Sequence, residues 1–457
     1  MNTSTHTPQR ALRHVTLAAL ALLSTAHVQA GVSAEEAARL KTELTPLGGE
    51  RAGNKDGSIP AWTGGHTAPI PGFRNGGKRP DPFAAEKPLY QITAANQAQH
   101  ADKLSDGVKA MLKKYPESFK LNVYKTYRTA AAPQWVYDNT ARNAVKGELK
   151  DLKPTGVYGG IPFPIPKNGA EAMWNHSLRW RGEAYHVAVK GIQTTADGRH
   201  VVTGVGSGDF QVPYYFKDGS VDKFDGNFWS IRLINSGPPL RAGEGIVGRD
   251  HIDGDKTQVW AYITGQRRVR KVPNACCDTP TPASAGISMF DQTDVFNGRL
   301  DRYDWKIVGK KEMLIPYNGN RLLATPEAEA LDKHHLASDA MRWELHRVWV
   351  IEATLAAGKR HVAPKRRYYL DEDTWIAVLA DHWDANGQLW QMGFSNPVVM
   401  PDLPGTTSPQ MFGFYDLLSG VWYYDSALND AAEQYKLVPR YADTTFTPEA
   451  LVGDAVR

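Results

Sequence analysis

The chain has 457 residues, a formal net charge of +4 and a hydrophobic content of 42%. This length fits one elaborated domain or two closely packed ones, and the hydrophobic content is typical of globular proteins. The near balance of charge gives no support for nucleic acid or an anionic membrane as the main partner.

The first thirty residues have the pattern of a secretory signal. Arg10 and Arg13 precede an apolar run over 15–23, and small residues follow up to Ala30. The run is far shorter than the roughly 20 residues of a membrane-spanning helix. We therefore expect cleavage after Ala30 and export to the periplasm, the alternative being a retained N-terminal anchor. A lipoprotein signal needs a cysteine after the cleavage site, and Gly31 stands there, so no lipid anchor is expected.

The region 31–170 is predicted to be a helical and irregular extension packed on a sheet. Apolar residues at helical spacing predict helices over 34–44 and 94–114. Between them, 48–65 is rich in turn-forming residues, and an irregular segment rich in proline and glycine continues to about residue 88.

Residues 171–457 are predicted to form one β-rich domain, preceded by a short helix over 169–179. In one of its strands Trp229, Ile231 and Leu233 alternate with polar residues, which predicts one apolar face. The first group of predicted strands spans 183–192, 200–205, 227–234, 258–265 and 267–272. The second group spans 302–317, 345–355 and 366–394, with a helix predicted over 326–341.

Four stretches of this chain resemble a large family of proteobacterial periplasmic proteins of unknown function. They are GGERAGNKDGSIPAWTGG (48–65), QVWAYITGQRRVRKVP (258–273), FDQTDVFNGRLDRYDWKIVGKKEM (290–313) and YYLDEDTWIAVLADHWDANGQLW (368–390). In its strand-rich region that family is similar to the Lol-type carriers that sort outer-membrane lipoproteins. The resemblance implies an α+β fold: a curved antiparallel β-sheet forming a half-open barrel, with helices covering the concave side and an irregular N-terminal extension.

The same resemblance implies a non-enzymatic carrier for a hydrophobic or lipid-like ligand. Such a carrier would move cargo between the inner and outer membranes beside an exporter of the resistance-nodulation-division (RND) type. Partners would be that exporter or an outer-membrane protein, with peripheral membrane contact. Large apolar side chains often line such cavities, although a single aromatic residue more often fills a solid core. The residues expected near the cavity are Trp229, Ile231, Leu233, Trp260, Tyr262, Trp349, Ile351 and Trp375.

Adjacent Cys276 and Cys277 leave three states open: a disulfide between neighbours, two free thiols, or bonds to another chain. The two-residue spacer usual in redox-active or metal-binding pairs is missing, so we expect a loop feature. In the resembling family an aromatic or aliphatic pair commonly stands at this place, so the role of the two cysteines stays open.

No pattern of catalytic or cofactor-binding residues emerges. Residues 243–248 fit G-x-G-x-x-G, but no clean strand precedes them and no helix pattern follows. Residues 206–208 lack the spacing of a nucleophile elbow. His334 and His335 would point about 100° apart on a helix, and the aspartates around His251 do not have the calcium-loop spacing. No enzyme activity, cofactor or metal is therefore expected.

Arg268 and Arg270 fall on one face of a predicted strand. They would either contact lipid headgroups or a partner protein, or keep an exposed strand edge from aggregating. Two further functions compete with the carrier. One is an adaptor of an envelope transport system without a ligand of its own. The other is an enzyme acting on a hydrophobic substrate, which would need titratable groups converging on one point.

Overall fold

The structure is a computed structural model that describes residues 1–2, 31–273, 275–284, 286–407 and 411–455. The predicted secretory signal therefore lies almost wholly outside the described residues. Within the described part of the chain, no helix is both long and apolar enough to cross a membrane.

The secondary structure is dominated by β-strands. The described strands are β1 (Tyr90–Ile92), β2 (Leu121–Val123), β3 (Glu148–Lys150), β4 (Lys153–Thr155), β5 (Ala184–Thr194), β6 (His200–Gln211), β7 (Asn227–Gly237), β8 (Gly245–His251), β9 (Gln258–Ile263), β10 (Arg268–Lys271), β11 (Tyr303–Pro316), β12 (Trp343–Leu355), β13 (Lys365–Asp371), β14 (Ala377–Trp383), β15 (Leu389–Ser395), β16 (Val398–Met400), β17 (Gly405–Thr407), β18 (Phe412–Asp416), β19 (Trp422–Asp425) and β20 (Tyr435–Leu437).

The helices are short. They are α1 (Ala34–Ala38), α2 (Asp106–Lys114), α3 (Gln134–Lys146), α4 (Gly169–Ser177), α5 (Asn320–Ala324), α6 (Glu327–Ala330) and α7 (Pro448–Ala455). On the large sheet, α2 packs against β14 and β15, α4 against β11 and β12, and α7 against β8, β9 and β10.

One 16-stranded sheet organises the molecule. Its order is β1-β2-β12-β13-β14-β15-β18-β19-β5-β6-β7-β8-β9-β10, with β11 also paired to β12 and β20 to β5. The pairs are antiparallel except for one parallel contact between β2 and β12. The sheet is open, because β1 and β10 end the series and do not pair with each other. The predicted α+β class with an open antiparallel sheet is confirmed, and β1 and β2 from the 31–170 region are part of that sheet.

Two predicted helices are shorter than expected, and a capping serine marks the break in the second. Helix α1 continues from Ala38 only as a 3-10 turn to Lys41. In the second case, 97–103 forms a 3-10 helix, Leu104 is extended, and α2 begins after Ser105, whose hydroxyl accepts the Val108 N–H. The helix predicted over 169–179 is present as α4.

The helix predicted over 326–341 is wrong beyond its first turn, because α6 ends at Ala330. Leu331 pairs with Leu336 in an isolated bridge, and the Asp332 N–H donates to the His335 carbonyl. The His335 ring is fully buried, with Ser118 at 2.9 Å from its Nε2. Burying this ring fixes a tight turn where the periodicity predicted a helix. Helices α3, α5 and α7 were not predicted.

Candidate functional site

A hollow lies on one part of the large sheet, which in sheet order runs from β18 through β19, β5, β6, β7 and β8 to β9. The described residues of 275–297, which we call the covering segment, close it on the other side. We call this hollow the main cavity. Its volume is about 120 Å³, similar to cavities that hold one benzene-sized guest. Apolar side chains dominate it, and they come from five strands of the sheet and from the covering segment. They are Val189, Trp229, Ile231, Leu233, Ile246, Val259, Phe290 and Phe412.

The floor of the main cavity follows from strand periodicity. Along β7, Trp229, Ile231 and Leu233 point into the cavity, while Arg232 points away and pairs with Asp209 at 2.6 Å. Glycines at 191, 204 and 248 widen the floor, because they put bare backbone where a side chain would stand. A Cβ on Gly248 would come within 2.8 Å of Ile231 Cγ2, so a side chain there would crowd the floor.

Two buried aspartates anchor the segment that covers the cavity. Asp291 accepts from Arg366 Nη1 at 2.9 Å and lies 3.0 Å from His361 Nε2. Burial alone would raise the pKa of Asp291, but Arg366 and His361 hold it well below its usual range. Asp294 pairs with Arg179, and with Arg181 at 3.2 Å. These ion pairs are buried, so the covering segment is fixed by charges that water does not screen.

The polar groups of the cavity include two carboxyls. Asp250 accepts from Asn297 Nδ2 at 2.9 Å, and Asp425 accepts from Tyr423 Oη at 2.7 Å and Ser426 Oγ at 2.8 Å. Burial raises the pKa of both carboxyls. Among the described residues that line the cavity there is no lysine, arginine or histidine. Within that lining, no basic side chain is therefore placed to pair with an anionic group of a ligand.

A second hollow of about 280 Å³ adjoins the main cavity and shares Asp250, Ala275 and Asn297 with it. Cys276 lines this second hollow, and its sulfur is bonded to that of Cys277, which is buried. Of the three states that the sequence left open, the structure has the disulfide between neighbours. The pair therefore belongs to the covering segment, at the junction of the two hollows.

The structure brings together three of the eight apolar residues predicted near a cavity. Trp229, Ile231 and Leu233 line the main cavity. Trp260 and Tyr262 lie on the other side of β9, where they pack with Phe446 and Leu451 at the C-terminus.

The remaining three candidates pack in the main core. Trp349 stacks on Trp375 with ring centres 6.1 Å apart, and Ile351 is fully buried. Arg268 and Arg270 are exposed on β10, which ends the sheet.

Several cavity residues were not found from the sequence. Phe290 begins a short 3-10 helix, and Phe412 and Tyr423 are on β18 and β19, almost 200 residues from β7 along the chain. Val189 lies in a predicted strand, where alternation could have placed it on one face. Ile246 lies in β8, which was not predicted. Nothing in the sequence shows that β19 pairs with β5, which brings these groups together.

Comparisons with known proteins give one family and several remote structural neighbours. A model of the family described as "Protein of unknown function (DUF1329)" matches residues 91–452. The uncharacterized protein PA3922 of Pseudomonas aeruginosa is 38% identical over 466 aligned positions, which cover 98% of this chain and 99% of that protein.

Three solved structures are similar at low identity. A candidate outer membrane lipoprotein-sorting protein domain from Vibrio parahaemolyticus has a TM-score of 0.43 at 12% identity, covering 62% of this chain and 98% of its own. A DUF1329 protein from Desulfovibrio piger has 0.38 at 13%, covering 59% and 92%. The LolA superfamily protein NE2245 from Nitrosomonas europaea has 0.36 at 12%, covering 62% and 100%. At these values the likeness says nothing about ligand or activity.

Proposed function

We propose, from the premise that this chain belongs to the DUF1329 family of proteins of unknown function, that it is a non-enzymatic carrier. It binds a hydrophobic or lipid-like ligand in the main cavity and moves it through the periplasm. The observation that carries the proposal is the cavity itself, with apolar side chains on its floor and a covering segment held by buried ion pairs.

The chemistry of the lining supports reversible binding. Transfer of an apolar group into such a cavity gains about 25 cal/mol per Å² of surface removed from water. The space holds one ring or a short acyl segment, and the adjoining hollow offers room for the rest of a longer ligand. The two carboxyls bond to Asn297, Tyr423 and Ser426, an arrangement that orients polar groups and activates no nucleophile.

The proposal extends to delivery. A carrier that exchanges cargo needs a surface that meets a membrane or a transporter, such as an RND-type exporter or an outer-membrane protein. Arg268 and Arg270 are exposed on the edge strand β10. Arginine forms charge-assisted hydrogen bonds with phosphate groups, so these side chains would suit contact with lipid headgroups. We assign these two residues to headgroup or partner contact within the proposal.

The test uses two matched substitutions in the mature protein purified from periplasm. Val189→Trp fills the main cavity, whereas Val201 is 40% exposed on the neighbouring strand and lines no described hollow, so Val201→Trp is the control. Native mass spectrometry with lipid extraction identifies a co-purified ligand, and a fluorescent apolar probe measures affinity. We expect the wild type and Val201→Trp to bind and Val189→Trp to lose at least about tenfold in affinity.

Two results would overturn the carrier. A wild-type protein that co-purifies with no ligand and does not bind the apolar probe has no binding function in this cavity. An adaptor without its own ligand then becomes the better explanation. Equal binding by Val189→Trp and Val201→Trp would place the ligand elsewhere.

A further inference from the structure

A second group of polar side chains is buried where β12 meets the turn between β13 and β14. It contains His346 on β12, Asp371 at the end of β13 and Asp373 in the turn. One ligand atom from each of these three residues lies within 4.8 Å of the others, and all three are buried. The turn lies under the N-terminal segment, because Trp375 Nε1 donates to the Leu47 carbonyl at 2.8 Å.

The orientation of the His346 ring is set by a neighbouring carboxylate. Its Nε2 lies 3.1 Å from Glu344 Oε2, and Glu344 also accepts from Arg342 and Asn318. Nε2 is therefore the ring nitrogen placed to donate to Glu344, which turns Nδ1 towards Asp371. The distance from Nδ1 to Asp371 Oδ1 is 3.6 Å, which is too long for a hydrogen bond.

Among the described residues, no lysine or arginine forms an ion pair with Asp371, and His346 is its basic neighbour. Its Oδ2 accepts from the Thr374 N–H at 2.9 Å and from Thr374 Oγ1 at 2.6 Å. Its Oδ1 is buried and has no hydrogen-bond partner. Arg128 instead holds Asp373 through two bonds of 2.6 and 2.7 Å, one to each carboxylate oxygen.

The other charges around the group are also paired. Lys310 lies 2.7 Å from Glu372, and Arg347 lies 3.3 Å from it. The basic groups around the cluster are engaged with Asp373 and Glu372, and none of these three, Arg128, Lys310 or Arg347, pairs with Asp371.

A second buried group lies beside this gap. The Tyr317 hydroxyl is fully buried and has no hydrogen-bond partner. The Tyr317 ring centre lies 3.9 Å from that of His346. A buried hydroxyl without a partner is unfavourable, so its place beside His346 indicates a missing partner.

We propose that this gap binds a divalent metal ion of the Zn²⁺ class. His346 Nδ1, Asp371 Oδ1 and one oxygen of Asp373 are the ligands, with the Tyr317 hydroxyl facing the ion. Imidazole nitrogen with carboxylate oxygen is a donor set that zinc accepts, at about 2.0–2.2 Å per bond. Two ligands of a tetrahedral ion at that distance stand about 3.3–3.6 Å apart, which matches the 3.6 Å between Nδ1 and Oδ1.

Glu344 then has the position of the carboxylate that orients a metal-bound histidine through its other ring nitrogen. The complete burial of the cluster indicates a structural ion. It ties β12 to the turn, and Arg128 connects that turn to the N-terminal segment through the Glu50 carbonyl at 2.6 Å. No metal was expected from the sequence, because these three ligands do not form a local motif along the chain.

The experiment measures bound metal in the full mature chain purified without chelator. Inductively coupled plasma mass spectrometry should find about one zinc-class ion per wild-type chain. Asp371→Asn and His346→Gln should lose it, whereas Asp222→Asn, at an exposed turn, should keep it. Where a variant fails to fold, the wild type alone decides. Removal of the ion with a chelator should lower Tm by about 5 °C, and added Zn²⁺ should restore it.

Two outcomes would overturn the site. A wild-type protein without stoichiometric metal whose Tm does not respond to Zn²⁺, Mn²⁺ or Ca²⁺ would show that a proton or a water fills the gap. Full metal content in both Asp371→Asn and His346→Gln would place the ion elsewhere.

Discussion

The guanidinium carbon of Arg181 lies 5.0 Å from the centre of the Trp229 ring. Trp229 is part of the cavity floor, and Arg181 pairs at 3.2 Å with Asp294 of the covering segment. A cation over an aromatic face is attractive, and more so when both are shielded from water. The same arginine therefore fixes the ring in the floor and the segment above it.

Asp294→Ala should be strongly destabilising. The substitution leaves Arg179 and Arg181 buried without their carboxylate, and breaking a buried pair in this way costs about 3–5 kcal/mol in the free energy of unfolding. Chemical denaturation at pH 7 measures this loss. The control is Asp218→Ala, because Asp218 is 79% exposed and pairs with Arg440 at the surface. A comparable loss in both variants would contradict the anchoring role of Asp294.

Stability should fall in acid because of His176. Its Nδ1 accepts from the Ala377 N–H at 3.0 Å, and its Nε2 lies 3.0 Å from the Phe296 carbonyl, so the ring is held neutral. Burial, with Arg179 nearby, lowers the pKa of His176 to about 3. The unfolded chain takes up this proton near pH 6.5 and the folded chain does not, so stability is lost as the pH falls from about 6.5 towards 3.

The measurement compares the wild type with His176→Gln by chemical denaturation at pH 7 and pH 4.5. The wild type should lose about 2.5 kcal/mol more than the variant between these two pH values. Parallel losses in the two proteins would show that His176 does not carry this part of the pH dependence.

Part of the site was accessible from the sequence, because alternation along one strand fixes which residues share a face. It placed Trp229, Ile231 and Leu233 together. It also placed Trp260 and Tyr262 together, but it does not tell which face of the sheet they occupy. The register that pairs Trp260 with Val247 turns them towards α7, and that helix was not predicted.

The position of the covering segment and the assembly of the proposed metal site both depend on contacts between residues that are distant in sequence. Asp294 is held by Arg179 and Arg181, more than 110 residues before it. Asp371 and Asp373 are close to each other in sequence, and the pairing of β12 with β13 brings His346 beside them. No local pattern contains that information.

Replacing both cysteines with alanine should leave folding and ligand binding intact. The bond joins sequence neighbours whose Cα atoms are 3.7 Å apart, so it closes almost no loop in the unfolded chain and contributes little chain entropy to stability. The denaturation midpoint and the affinity for an apolar probe are the two readouts. A loss of either would show that the pair does more than shape the loop at the junction of the two hollows.

The charges of β10 should limit self-association, whether or not they also meet a membrane. Arg268→Ser with Arg270→Ser removes two exposed charges from a strand that ends the sheet, and uncharged edges promote edge-to-edge pairing. Light scattering should detect more association than in Arg199→Ser with Lys217→Ser, which removes the same charge elsewhere. Unchanged scattering with weaker binding to anionic vesicles would favour headgroup contact as their only role.

The acidic groups of the main cavity should discriminate between ligands by charge. Asp250 lines both hollows, and burial raises the pKa of its carboxyl group. At pH 8, Asp250→Asn should bind a fluorescent fatty acid about three- to tenfold more tightly than the wild type, because one carboxylate no longer opposes the other. An uncharged apolar probe should bind both proteins equally.

The control for this comparison is Asp222→Asn, which removes the same charge from an exposed turn outside both hollows. If it tightens fatty-acid binding as much as Asp250→Asn does, the effect comes from the net charge of the protein. If Asp250→Asn tightens both probes equally, the carboxyl acts through the space it fills and through its bond to Asn297. Selective tightening of the anionic probe is the result that places its charged end beside Asp250.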